Sequence, residues 1–278
     1  MAKEEFHACK NFIKEFVFVY LNGDFYSFRD FDLSCLAKDS RFGCNNRGFD
    51  CDDTNLARAI YFLLWGKNFP DLTLPGIGTG KKYRGDTLNT YNTVFGAYLP
   101  EQHTSVGLLK SEAPKELQIL SERFHVAYHT IGNLILLPNA TEFEKKHTYT
   151  LNTYRGGVYK DYFDLFLQQL STCLAENRGD SHLINLINRN DFFFSWLNRK
   201  GGLKYFRDVC MLEDYFINDE PKNIFIPYVY CLRKKKAWDE SEKAYYIEGV
   251  KKYILTATSI IQKRSLRMIN KLYEVCNE

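Results

Sequence analysis

The chain has no C-x-x-C pair, although it carries eight cysteines in 278 residues. That spacing argues against a zinc ribbon. No apolar run approaches the roughly 20 residues that a membrane helix needs. The opening Met1-Ala2-Lys3-Glu4-Glu5 is charged where a secretory signal would be apolar. There is no strong charge of one sign: the net charge is +3, which neither demands nor excludes a nucleic-acid partner. Repeats and low-complexity segments are absent as well. These absences lead to the expectation of a cytoplasmic protein with reduced thiols and no membrane partner. They specify neither a cofactor nor an oligomeric state.

What is present is apolar and aromatic. Hydrophobic residues make up 45% and aromatics 16% of the chain, with 22 Phe and 19 Tyr, so a large core is expected and most aromatics should pack in it. Phe6, Cys9, Phe12, Ile13, Phe16 and Tyr20 recur at helical spacing over residues 4–20. Phe25 to Leu33 alternates poorly and reads as an extended arm. Thr54 is a natural N-cap for a helix through Trp65, with Gly66 as its stop. Strand and loop are expected over Lys81–Tyr98, and a helix from Pro114 to about Tyr128. Ile131–Leu137 reads as a buried strand. Helical spacing returns over Tyr159–Cys173, Asp191–Leu197 and Leu203–Phe216, the last two joined at Gly201-Gly202. One or two long helices are expected between Trp238 and Val275.

The expected fold class is therefore α+β, predominantly helical, with a small central β-sheet and a long C-terminal helical segment. The expected organisation is a main domain over residues 1–232 and a basic helical segment over residues 233–278 packed on it. The boundary would fall at the basic run Arg233–Lys236.

Polar chemistry concentrates in three stretches. The first is His129-Thr130 with Gly132 and Asn133. A histidine with an ordinary pKa of about 6.5 can give or take a proton near neutrality. Thr130 and Asn133 could orient a ligand, and Gly132 would let backbone approach a bound group. The competing reading is a buried histidine bonded to backbone at a strand entry. The second stretch is Tyr83-Arg84-Gly85-Asp86-Thr87 with Asn89. Arg84 offers a planar fork for phosphate or carboxylate; Asp86 could pair with it, orient a histidine or bind a ribose hydroxyl. A turn with an internal Arg–Asp pair explains the same residues. The third is Arg155-Gly156-Gly157 followed by Lys160-Asp161 and Asp164. A helix starting near Val158 would aim free N–H groups at an anion beside Arg155 and Lys160. Asp161 and Asp164 would share one of its faces, or simply complement its dipole.

Metal binding has weaker support. Asp50, Asp52 and Asp53 have the Asp-x-Asp spacing that can serve a divalent cation, but no second ligand cluster is evident, and Asp52 or Asp53 serves equally as a helix start. No metal site is therefore expected. His103, His125 and His147 are scattered.

Several of these pieces occur in a fixed order. Phe49-Asp50-Cys51-Asp52-Asp53 leads to Leu64-Trp65-Gly66-Lys67. Then come Gly85-Asp86-Thr87-Leu88-Asn89, His129-Thr130-Ile131-Gly132-Asn133, Arg155-Gly156 and Lys160-Asp161-Tyr162-Phe163-Asp164-Leu165, and last Gly202 to Tyr215. In this order the chain resembles an uncharacterised family of bacterial proteins, known as a domain of unknown function, over about residues 49–216. The resemblance implies that the three stretches belong to one unit; it implies no activity. A weaker likeness, through Gly132-Asn133-Leu134 after His129, is to HNH-type nucleases. Those would need an upstream metal-binding element, and His103 in Pro100-Glu101-Gln102-His103 departs from that pattern.

The function expected from these residues is an enzyme acting on a nucleotide or nucleic-acid phosphate, in a defence or toxin-like setting. His129 and Asp86 would be catalytic. Arg84, Asn89, Thr130, Asn133, Arg155, Lys160 and Asp161 would bind the ligand. The alternative is a non-catalytic binding or regulatory protein recognising an anionic ligand or a protein partner.

Overall fold

Why the first two helices form is visible in their side chains. Helix α1 (Ala2–Leu21) buries Cys9, Ile13, Phe16 and Val17 on one stripe. Helix α2 (Asn55–Trp65) is capped as expected: the Thr54 hydroxyl accepts the Ala57 N–H at 3.0 Å. From Ala59 to Trp65 every residue of α2 is buried, so this helix lies inside the core rather than on it. Gly66 ends it with right-handed backbone (φ −59°), so its role does not depend on glycine's access to positive φ. The computed structural model describes residues 2–44, 50–89, 115–140, 142–144, 147–159, 162–176, 178–222, 224 and 240–278.

The class is α+β and mostly helical, as expected. The central sheet is one antiparallel pair, β1 (Tyr83–Thr87) with β2 (Leu134–Pro138), in register Tyr83↔Pro138 through Thr87↔Leu134. All of β2 is buried, which is why it reads as an unbroken apolar run. In β1 the burial alternates: Tyr83, Gly85 and Thr87 face the core, and Arg84 and Asp86 share the opposite, half-buried face. Helix α3 (Lys115–Tyr128) leads to His129. Past β2 come the short hairpin β3 (Glu142–Glu144) and β4 (His147–Tyr149), then α4 (Leu151–Val158), α5 (Phe163–Glu176), α6 (Ser181–Arg189), α7 (Asp191–Lys200) and α8 (Gly202–Cys210). A second short hairpin joins β5 (Phe216–Ile217) to β6 (Glu220–Pro221). The final helix, α9 (Glu240–Asn277), is a single helix of 38 residues.

Several expectations change. The arm over Phe25–Leu33 is not extended. It forms a tight 3-10 turn, Phe25–Asp30, started by the Asp24 carboxylate and closed onto the core by Phe25 and Phe28; a second, Leu33–Lys38, follows. Phe28 packs on Phe16 with ring centroids 4.8 Å apart. Ile131–Asn133 is also a 3-10 turn, so the strand begins three residues later than expected. The helix expected to start near Val158 is two helices, one ending there and one starting at Phe163. Helix α6 has no counterpart among the expected elements; Asp180 caps it by accepting the N–H groups of His182 and Leu183.

Helix α9 is pinned to the sheet entry by a buried cation. Arg264 is fully buried. Its Nη1 donates to the carbonyls of Gly132 (2.7 Å) and Leu134 (2.6 Å), and its Nε donates to that of Cys210 (2.9 Å). Burial lowers its pKa to about 10, which still leaves it charged at neutral pH. The other basic residues of α9 are largely paired: Arg267 with Asp214 and Glu213, Lys263 with Asp214, and Lys251 with Glu116 and Glu248. Arg233–Lys236 lie outside the described residues. No helix among the described residues is long and apolar enough to cross a membrane.

Gly132 is where α9 comes closest. A Cβ there would lie 2.1 Å from the Ile261 carbonyl oxygen and 2.3 Å from Ser265 Oγ. The close approach expected of a ligand is thus made by the chain's own last helix. A Cβ on Gly157, inside α4, would meet nothing within 4 Å among the described residues beyond its own helix. Gly132→Ala should therefore lose at least about 2 kcal/mol, because the obstructing atom is backbone. Gly157→Ala should gain about 0.5–1 kcal/mol from helix propensity. Chemical denaturation of both variants checks the pair; equal stabilities would contradict this packing.

Candidate functional site

Arg155 is fully buried in the last turn of α4. Its Nη2 donates to Asp86 Oδ2 at 2.6 Å and to the Thr87 carbonyl at 2.7 Å, and its Nη1 donates to the Leu88 carbonyl at 3.2 Å. The ring of Phe163 lies beneath it, 5.8 Å from centroid to guanidinium carbon. A buried guanidinium needs an anion and carbonyls at its edges, and β1 supplies both. The free N–H groups of the α4 start do not surround it. They begin at Leu151, where Thr150 and Thr153 form a capping box. Asn152, in the same first turn, donates to the Gly85 carbonyl at 3.3 Å and so holds α4 to β1 a second time.

Asn89 and Asn133 are both fully buried and serve each other. Asn133 Oδ1 accepts the Asn89 N–H (3.0 Å), while its Nδ2 donates to the carbonyls of Asn89 and Tyr128, both at 2.9 Å. Tyr215 completes the group against the Asn89 amide at 3.1 Å. The Thr130 hydroxyl donates to the Ala127 carbonyl at 2.8 Å and terminates α3. Buried amides of this kind fix a single backbone arrangement. The three polar stretches therefore do come together, through Arg155–Asp86 and Asn89–Asn133. Arg84 sits half-buried beside Asp86 on the same face of β1, and its guanidinium forms no ion pair among the described residues. Lys160 and Asp161 lie outside the described residues. Asp164 is buried and its Oδ2 accepts the Ile224 N–H at 3.0 Å, so it anchors a loop rather than facing outward on the helix.

His129 occupies a different environment. It is mostly buried, with Nδ1 3.6 Å from Asp32 Oδ1, and its ring packs edgewise on Tyr128 and His125 at centroid distances of 4.6 and 5.0 Å. Its own carbonyl accepts the Leu33 N–H at 3.1 Å, which brings the Asp32 turn to it. Burial pulls the imidazole below its ordinary value; Asp32 opposes this and His125 adds to it. Nδ1 points toward Asp32 but beyond hydrogen-bond distance, and it has no hydrogen-bond partner among the described residues.

Beside this pair lies a group of residues, most of which sequence reasoning leaves out of the site. The turn Cys51–Asp53 packs against β1, and Asp50, Cys51 and Asp52 bring their donor atoms within 4.8 Å of one another. Cys51 and Asp52 are buried. Burial pushes the Asp52 carboxyl well above the usual carboxylate range, and the hydrogen bond it donates to Asp50 and the charges of Asp50 and Asp86 push the same way. The same acids, with Asp32, add to burial in raising the Cys51 thiol. Tyr61 and Tyr128 are raised in the same way, by burial first. His129 feels Asp50 as well as Asp32, so the acids and the histidine form one neighbourhood. The Asp-Cys-Asp spacing is the only local sign of it. Asp32 and Tyr61 reach the group only through the fold. Elsewhere, a cavity lined by Leu137, Leu151, Phe166, Phe193, Leu197 and Phe206 is wholly apolar and offers no chemistry.

Comparison with known proteins places this architecture in a family. A family of unknown function (DUF6994) matches residues 38–268, which takes in every residue of the site except Asp32. The chain belongs to this family. Neither the curated proteins nor the solved structures contain a match. The likeness to HNH-type nucleases finds no support. His103 lies outside the described residues, and Gly132 and Asn133 are engaged inside the fold.

Arg155→Ala would leave Asp86 and two buried carbonyls without their partner. It should cost about 3–5 kcal/mol, the usual result of removing one member of a buried pair. Urea unfolding measures this; an unchanged midpoint would mean that the pair does not brace β1.

Proposed function

We propose that this protein is a cytoplasmic enzyme that acts on a nucleotide or nucleic-acid phosphate, with His129 as its acid/base. The observation that carries the reading is the mostly buried His129 next to Asp32, its imidazole pulled by burial below the ordinary value, set beside a cluster of carboxylates. Asp32 lies 3.6 Å from Nδ1, and an unprotonated imidazole in this position can take a proton. In hydrolysis, a water oxygen would bond to phosphorus as the bond to the leaving oxygen breaks, and the His129 imidazole would take the water's proton. Asp86 acts through its bond to Arg155 and its half-exposed position, as part of the frame around the substrate. Arg84 is the anion holder that the fold leaves available. Arg155, assigned that role from sequence, already has its charge matched by Asp86. Neither the fold nor the comparisons support a defence or toxin-like role.

The second reading, a non-catalytic protein that binds an anionic ligand or a partner, draws on the Asn89–Asn133 and Arg155–Asp86 bonds, which make most of the polar stretches structural. Turnover separates the two. A panel of nucleotides and short oligonucleotides should reveal a phosphate-releasing or strand-cleaving activity in the wild type. His129→Gln should lower it at least about 100-fold, the usual range for an acid/base group, with an unchanged melting curve. Full activity in His129→Gln would hand the function to the binding reading.

A further inference from the structure

We propose that Asp50 and Asp52, backed by the Tyr61 hydroxyl, bind a divalent cation of the oxygen-seeking Mg2+/Mn2+ class. Two observations point there independently. The first is the donor set: the Asp50 and Asp52 carboxylates lie, with Cys51 Sγ, within 4.8 Å of one another, on a turn held against β1. Carboxylates this close repel when both are ionised; without a cation a hydrogen bond between them relieves this, and a cation between them would satisfy both.

The second is Tyr61. Its side chain is fully buried, and its hydroxyl has no hydrogen-bond partner among the described residues. The hydroxyl is lodged at the same place. A Cβ on Gly85 would lie 2.6 Å from Tyr61 Oη and 2.4 Å from the Asp52 carbonyl oxygen, so the tyrosine tip and the acidic turn meet over one residue of β1. The ionisable groups that act most on it are Asp52, Cys51, Asp50 and Asp86, in that order. A buried phenol without a partner is rare, and it calls for an acceptor that the described residues do not supply. A water or carboxylate oxygen in a cation's shell is such an acceptor. Asp86 and Asp32 add negative potential without needing to be ligands. The sequence alone offers no second group of ligands for a cation; the fold brings Tyr61, Asp86 and the His129–Asp32 pair to the turn.

The cation's role rests on the proposed function. A phosphate approaching this acidic neighbourhood needs positive charge, and Arg155 cannot provide it. A Mg2+-class ion on Asp50 and Asp52 would accept a phosphate oxygen and turn the phosphorus toward His129. Oxygen donors outnumber the thiol, which favours Mg2+ or Mn2+ over Zn2+.

The test is Mn2+ titration of the full chain at pH 7.5, followed by electron paramagnetic resonance of free Mn2+, with Mg2+ as competitor. One Mn2+ per chain, displaced by Mg2+, is expected. Asp50→Asn, at an exposed position, should weaken binding at least tenfold while folding normally, and Asp52→Asn should do the same. Tyr61→Phe should weaken it several-fold. Asp208→Asn, an exposed acid on α8, should not change it. If Asp52→Asn does not fold, Asp50→Asn decides. Absence of Mn2+ binding at millimolar concentration overturns the proposal, as does an Asp50→Asn variant that binds like wild type. Zn2+ binding that is lost in Cys51→Ser, without Mn2+ binding, overturns the choice of ion class. Turnover that survives chelation would reject the cation and keep the enzyme; Mn2+ binding with no turnover on any phosphate substrate would do the reverse.

Discussion

The cost of taking charge out of water organises this protein. Arg155 and Arg264 are both fully buried, and each is surrounded by oxygen atoms drawn from distant parts of the chain. Arg155 gathers Asp86, Thr87 and Leu88 and so fixes α4 against β1. Arg264 gathers Gly132, Leu134 and Cys210 and fixes α9 against the turn that follows His129. Between them the two guanidinium groups set both strands of the central sheet. A buried arginine tolerates few alternatives, because every lost partner leaves an uncompensated charge or carbonyl. The two therefore specify one arrangement of helices around a sheet too small to do so itself.

Beside that frame, a second set of groups is desolvated around a cluster of acids. His129 stands near Asp32 but 3.6 Å from it, Asp52 shares its surroundings with Asp50, and the Tyr61 hydroxyl has no partner among the described residues. Perturbed groups gather at functional sites because reactions need what folding alone would avoid. Side chains bonded to backbone from distant parts of the chain are the braces here, and the groups whose titration burial and neighbouring acids shift together are the chemistry. Asn89, Asn133, Thr130 and Arg155 belong with the braces. His129 and Asp32, with Asp50 and Asp52, belong with the chemistry.

Local pattern carries much of the fold. Thr54 and the apolar run behind it define α2, and the unbroken Leu134–Leu137 run defines β2, because caps and periodicity are properties of neighbouring residues. The site is legible only in part. His129 stands out by residue type, and the Asp50–Asp53 spacing is visible, but nothing local links them. Arg155 finds Asp86 69 residues away, and Gly132 owes its identity to α9, which begins over a hundred residues later. A glycine pair after an arginine reads as a helix start when its neighbours are unknown. Here it falls within the helix, because the capping box at Thr150 has already begun it. Asp32 escapes sequence reasoning because its turn reads as extended; it is Phe25 and Phe28, packing on the core, that fold that segment back toward His129.

The state of His129 tests this division most directly. Its ring can be followed by nuclear magnetic resonance through a pH titration of the full chain, in wild type and in Asp32→Asn. Burial should hold the midpoint below the ordinary histidine value of about 6.5. Removing the Asp32 charge, which favours the protonated ring, should lower it further. A midpoint at or above the ordinary value, or one that ignores Asp32→Asn, would contradict a desolvated His129–Asp32 pair at the centre of the site.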